Sequence, residues 1–230
     1  MRLLVEELVG PTIGAYFEKF TRDENPEELS LNDVVFASQI FAKSIAMLRE
    51  LHAIGIVHGD FHYGNLAFRS NEAGGTLDLV FIDFGTAKFF PDDHLNTDYK
   101  ISTIRYMFFS LNLLSPYQLN GHILGRRDDI YRAFESFVNV LSQGNIERLF
   151  DTSPPAPVNK LVDLKTTTDF CSPEDMLQNF QLHDTFVTIY PVLFEIQAYV
   201  RDPQKGLAED PNYAWLLERA HKIIDLLNGE

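Results

Sequence analysis

The sequence predicts a mainly α domain with a small β element near its middle. Three observations predict it. Apolar residues recur at three- and four-residue steps in four separate stretches. Two short runs of alternating character lie between the first and second of these, joined by a glycine-bearing turn. No internal repeat interrupts the pattern. The 230 residues are enough for one large domain, and a hydrophobic fraction of 45% with a charged fraction of 23% is that of an ordinary globular chain.

Taken in order, residues 3–9 (LLVEELV) read as a short strand, which Gly10 and Pro11 are expected to stop. Thr12 is placed to cap a short helix running to Phe20. Residues 21–29 (TRDENPEEL) are polar, contain Pro26 and read as a surface loop. Ser30 and Asp33 then form a capping pair for a long helix. Its apolar face carries Val34, Ala37, Ile40, Phe41, Ile45, Leu48 and Leu51, and Gly55 ends it. Residues 66–68 and 77–82 alternate as two strands, with a hairpin connection over residues 71–75 (NEAGG). From Thr86 to Arg127 no period holds, and a long ordered loop is expected. Ile130, Phe134, Phe137, Val138 and Leu141 define a second buried helix that stops at Gly144. Residues 153–157 (SPPAP) mark a surface excursion, and residues 186–200 and 213–227 give two final helices.

Thirty-three acidic against nineteen basic side chains give a formal charge of −14, with a pI near 4.8. Nucleic-acid affinity comes mostly from Lys and Arg displacing condensed counterions, so no nucleic-acid partner is expected. The single cysteine, Cys171, excludes an intrachain disulfide and fits a reducing compartment. The opening MRLLVEELVG carries acid within a short apolar run and lacks a small-residue cleavage site, so it does not read as a signal peptide. No run approaches the roughly 20 apolar residues that span a bilayer. The longest candidate, residues 107–114, is broken by Ser110 and Asn112. The expectation is an intracellular protein of cytoplasm or nucleus with no membrane partner.

The chemistry is concentrated in residues 56–65 (IVHGDFHYGN) and 80–85 (VFIDFG). Phosphoryl transfer from a nucleotide needs a carboxylate beside the acceptor hydroxyl and oxygen ligands for Mg²⁺ on the phosphates. Asp60 and Asn65 share one loop, close enough to face a single cavity, and Asp83 arrives at the end of an apolar strand where Gly85 permits a sharp turn. The pattern is that of a kinase catalytic loop and metal-binding loop, with Asp60 as base and Asn65 and Asp83 as metal ligands. Either motif alone is compatible with ordinary turn residues, whereas the two together, in order, are not easily so explained. His58 reads as structural, packing against Phe84.

From residue 4 to the C-terminus the sequence resembles the casein kinase I branch of the eukaryotic protein kinases. Residues 4–13 (LVEELVGPTI) are similar to that family's hinge, 102–107 (STIRYM) to its Thr-Ala-Arg-Tyr segment, and 125–130 (GRRDDI) to the opening of its buried central helix. Near the end, Tyr199-Val-Arg201 and residues 211–216 (PNYAWL) resemble its Tyr-Val-Arg and Pro-Asp-Tyr segments. The resemblance implies a protein-kinase-like C-terminal lobe, residues 1–230 forming one domain, with ATP and Mg²⁺ as cofactors. It implies that the backbone of Glu7 and Val9 faces the adenine edge, with Ala67 at the adenine floor. It also implies that Asp129 accepts hydrogen bonds from catalytic-loop amides and so holds Asp60. Arg105, with Arg126 or Arg127, would form an anion site for acidic substrates; pairing of these arginines with Asp128 or another local carboxylate is equally compatible.

The sequence also departs from the family pattern. No Gly-x-Gly-x-x-Gly occurs, nor a Val-Ala-Ile-Lys-like strand, so an N-terminal lobe is expected to be missing from these residues or supplied by a second chain. Gly59 stands where most kinases carry an arginine, and His62 replaces the catalytic-loop lysine. Ala15 falls at the ribose-binding position, and residues 108–122 lengthen the substrate-side loop. The run His-Gly-Asp-Phe-His-x-x-Asn with Ile-Asp-Phe-Gly also resembles the small-molecule phosphotransferases, the aminoglycoside and choline kinase group. The expected function is that of a serine/threonine protein kinase-like domain of very low activity on its own, acting on a protein substrate. A pseudokinase that docks a protein partner is the alternative, and a small-molecule phosphotransferase a further one.

Overall fold

Gly10 and Pro11 lie inside a strand, β1 (Val9–Thr12), rather than ending one. The computed structural model describes residues 9–21, 26–69, 77–89, 115–116, 125–146, 158–173, 176, 180–202 and 211–229. Most of the strand expected over residues 3–9 therefore lies outside the described residues, as do the 71–75 turn, the 153–157 excursion and nearly all of the 90–124 loop. β1 tolerates its proline because it is a sheet edge with an irregular register between Val9 and Thr12. An edge strand does not need every N–H for its ladder.

Helix α1 (Ile13–Thr21) starts where the Thr12 hydroxyl accepts the Ala15 amide at 3.1 Å, and it buries Ile13, Phe17 and Phe20 on one face. Helix α2 (Leu31–Ala53) starts at a reciprocal capping box. The Ser30 amide donates to Asp33 Oδ2 at 2.9 Å, and the Asp33 amide donates to the Ser30 hydroxyl at 3.3 Å. By length and composition α2 could cross a membrane, with a mean hydropathy of 1.2. Half of it is buried inside this domain, and its interior serines, Ser38 and Ser44, donate to their own helix at Val34 O and Ile40 O, both at 2.8 Å. It is the central core helix.

The β element follows. Strand β2 (Ile56–Val57) is short. A 3₁₀ turn (Tyr63–Asn65) leads into β3 (Leu66–Arg69), which lies between β1 and β4 (Leu79–Phe81), all antiparallel. Strand β5 (Lys88–Phe89) returns to pair with β2, so the segments 58–65 and 82–87 both connect the β2–β5 pair with the β3–β4 pair.

Helix α3 (Arg126–Leu141) is the second buried helix, and Phe137 stacks on Phe41 of α2 at 4.8 Å. Helix α4 (Val158–Thr167) was not legible in the apolar spacing. Helix α5 (His183–Arg201) contains Pro191 on its exposed side, and α6 (Tyr213–Asn228) ends at Gly229. The core gathers α2, α3, α5 and α6, with the small sheet and α1 against one end. The described chain is mainly helical with minor strand content, as the sequence predicts.

Candidate functional site

The loop after β2 is held from below by a buried carboxylate. Asp129, near the start of α3 and almost fully enclosed, accepts the His58 amide on Oδ2 at 2.7 Å and the Gly59 amide on Oδ1 at 2.9 Å. Oδ2 also faces His52 Nε2 of α2 at 2.9 Å. Gly59 has φ +81°, in the left-handed region that favours glycine, and this turn brings both amides onto one carboxylate.

The loop closes on itself past Asp60. The Asn65 side-chain amide donates from Nδ2 to the Asp60 carbonyl at 2.9 Å, leaving its Oδ1 as the acceptor atom. The Ile82 amide donates to the Asn65 carbonyl at 3.0 Å, which fixes the Asp83 segment against the same loop. His58 ties the two segments a second time: its Nε2 donates to the Ile82 carbonyl at 3.1 Å, and its own carbonyl accepts the Thr86 hydroxyl at 3.1 Å. The Phe84 ring lies 4.9 Å from the His58 ring, so His58 and Phe84 form the aromatic underside of the turn.

Asp83 is exposed and has φ +57°, and its Oδ1 accepts the Gly85 amide at 3.1 Å. A Cβ on Gly85 would stand 3.0 Å from that oxygen, so this glycine leaves the carboxylate its room. The carboxylates of Asp60 and Asp83 both favour the protonated form of His62, against burial and Arg132.

His62 is held below the usual histidine range by burial first and by the Arg132 guanidinium second, against the pull of Asp60. Its Nδ1 accepts the Gly64 amide at 3.0 Å, so its remaining proton sits on Nε2. Burial and Arg132 therefore favour the neutral form of His62, a hydrogen-bond donor at Nε2, over the cation. Beside it opens a cleft of about 240 Å³ between α1, the loop and α3, lined by Gly14, Glu18, His62, Arg132, Glu135 and Asn139, among others. Gly14 makes this approach: a Cβ there would lie 2.9 Å from the Gly64 nitrogen. Behind the cleft, Glu135 pairs with both Arg132 and the fully buried Lys165 of α4, at 2.5 Å for the latter. Burial lowers Lys165 to about 8.

The remaining predicted residues are dispersed. Val9 begins β1 opposite Arg69, while Ala67 is fully buried in the central strand and offers no open surface. Glu7 and Arg105 lie outside the described residues. Arg127, one of the two arginines offered as partners of Arg105, is turned inward. It is buried, and its guanidinium donates to the carbonyls of Tyr199 at 2.8 Å and Asp202 at 3.1 Å. These bonds tie α3 to the end of α5 and leave the side chain no open face for a substrate. Asp128 accepts the Ser115 hydroxyl and the Gly125 amide, the latter at 2.7 Å, and the Arg127 guanidinium also favours its ionised form. Arg126 lies close enough to Tyr213 to act on its phenol.

The oxygen donors of Asn65 and Asp83 are of the chemical kind that a hard cation takes. Mg²⁺ keeps several waters and is commonly bound through one or two carboxylates plus substrate oxygens. Asn65 Oδ1 and the Asp83 carboxylate are donors of that kind, and among the described residues no cluster of three or more His, Cys, Asp or Glu forms a separate metal cage.

A helical base carrying an Asp-Asn loop beside an Ile-Asp-Phe-Gly turn is kinase-like. Residues 29–107, about a third of the chain, match the family model described as the ABC1 atypical kinase-like domain. That stretch contains α2, the 58–65 loop, β3, β4 and Asp83. No curated protein matches the chain.

Proposed function

We propose that residues 1–230 act as one protein-kinase-like domain that binds Mg-ATP and belongs with the serine/threonine kinases of the casein kinase I branch. The observation that carries the reading is the closed loop: Asn65 bonded to Asp60, the Asp83 segment bonded to Asn65, and Asp129 beneath them. The branch assignment rests on the Arg-Arg-Asp-Asp and Tyr-Val-Arg segments, which lie beyond the 29–107 match. In this reading Asp60 takes the proton of a protein hydroxyl as its oxygen bonds to the γ-phosphorus, and ADP leaves with the bridging oxygen. Asn65 and Asp83 would hold Mg²⁺, which neutralises charge on the phosphates. His62 donates one hydrogen bond from Nε2 but adds no positive charge, so turnover is expected to be slow.

That same neutral His62 supports a second reading, a pseudokinase whose helical base docks a partner protein. Thermal unfolding with Mg-ATP separates the two. The kinase reading expects a rise in Tm that Asp83→Ala abolishes; no shift at millimolar nucleotide overturns it in favour of the docking module.

A further inference from the structure

Tyr213, the first residue of α6, lies 161 positions from the residue that its hydroxyl touches. That residue is His52, in the last turn of α2, whose Nδ1 is 2.5 Å from the Tyr213 oxygen. The other ring nitrogen of His52, Nε2, is 2.9 Å from Asp129 Oδ2, the same oxygen that accepts the His58 amide. His52 and Asp129 are each about 1% exposed, so no water competes for these bonds.

The polarity of the chain follows from its acceptor end. An ionised carboxylate only accepts, so His52 must carry its proton on Nε2. A neutral imidazole protonated there has its lone pair on Nδ1, and the Tyr213 hydroxyl fills it. Burial raises the Tyr213 phenol well above its ordinary range, which keeps that proton in place. Without the hydroxyl, the buried Nδ1 lone pair loses its donor, and the ring is free to turn Nε2 away from Asp129. The carboxylate would then lose one of its three donors and its fixed orientation under the loop.

We propose that Tyr213 is a positioning residue: its hydroxyl fixes the orientation of the His52 ring, and through Asp129 it holds the amides of His58 and Gly59. The proposal links docking of the C-terminal helix to the set of the loop bearing Asp60. It rests on the reading of that loop as the phosphoryl-acceptor loop, but its geometry can be tested without nucleotide. Failure of the Mg-ATP experiment therefore leaves this one intact, and the reverse holds as well.

The test compares the nucleotide-free wild-type chain with Tyr213→Phe, which keeps the ring and removes only the hydroxyl. Nitrogen-15 spectra of the histidines should show wild-type His52 protonated at Nε2 and accepting at Nδ1, with that signature changed in Tyr213→Phe. Amide hydrogen exchange at His58 and Gly59 should accelerate by roughly five- to tenfold in the variant, the fold-change of one ordinary hydrogen bond. Exchange in the middle of α2 should stay as in the wild type. Equal exchange at His58 and Gly59 in both proteins overturns the proposal, as does a uniform acceleration across α2, α3 and α6. Should the variant fail to fold, wild-type spectra decide alone, and a proton on His52 Nδ1 overturns it.

Discussion

Replacing Asp129 with alanine removes the one acceptor that serves three donors from two segments. Two of them, the His58 amide and His52 Nε2, lie in the sealed interior, whereas the Gly59 amide is half-buried and can recruit water. Each buried donor left unpaired costs about 1–3 kcal/mol, so Asp129→Ala should lose about 2–6 kcal/mol. Against a typical domain stability of about 5–15 kcal/mol that loss is large, yet at its lower end the fold survives. Urea unfolding followed by the fluorescence of Trp215 measures it directly. This residue is the chain's single tryptophan and packs on Tyr199 at 4.9 Å. The midpoint should fall while the slope against urea stays constant, because the surface exposed on unfolding is unchanged. A loss below about 1 kcal/mol would refute the argument, since it would mean that solvent already satisfies these donors.

Two further perturbations follow from the same geometry. Gly14→Ala places a methyl 2.9 Å from the Gly64 nitrogen, which is backbone and cannot rotate away. It should cost about 1–3 kcal/mol as overpacking and shift the histidine resonance of His62; unaltered stability and spectra would contradict the close approach. Asp128 is raised from 3.8 to about 7, chiefly by burial. Because the folded state holds this proton more tightly than the unfolded chain, its contribution is full below pH 4 and is lost as pH rises to about 7. The shift is worth up to roughly 4 kcal/mol, so the stability of Asp128→Asn relative to wild type should improve across that window and level off above it. Parallel profiles for the two proteins would exclude the effect.

What could be read from the sequence was local. The capping pair of Ser30 and Asp33, the face of α2 and the stop at Gly55 depend on residues within a few turns of each other, and the structure has each of them. The β1 boundary was misplaced because Pro11 ends a central strand but not an edge strand. Helix α4 was missed because it is short and buries Lys165, a charge on the face that periodicity expects to be apolar. The inward course of Arg127 is equally non-local: the end of α5, folded back onto α3, supplies carbonyls that bind it. The loop around Asp60 was legible as a motif, and the resemblance implied Asp129 beneath its amides, yet the His52 contact behind that carboxylate was not legible. His52 and Asp129 are 77 residues apart, and neither residue type announces its partner.

Gly59 concentrates the consequence for how the loop is controlled. Where the resemblance to protein kinases would place an arginine answering to a phosphate on a distant segment, this chain has a residue at φ +81° whose amide binds Asp129. A side chain there would strain the backbone by about 1–2 kcal/mol. It would also tilt the amide away from the carboxylate that His58 and His52 already share. The position cannot both carry a long cation and keep that turn without this cost. The turn before Asp60 is held from within the helical core, by Asp129 of α3 and His52 of α2, and residue 59 offers no arginine to a phosphate added to the 90–124 loop.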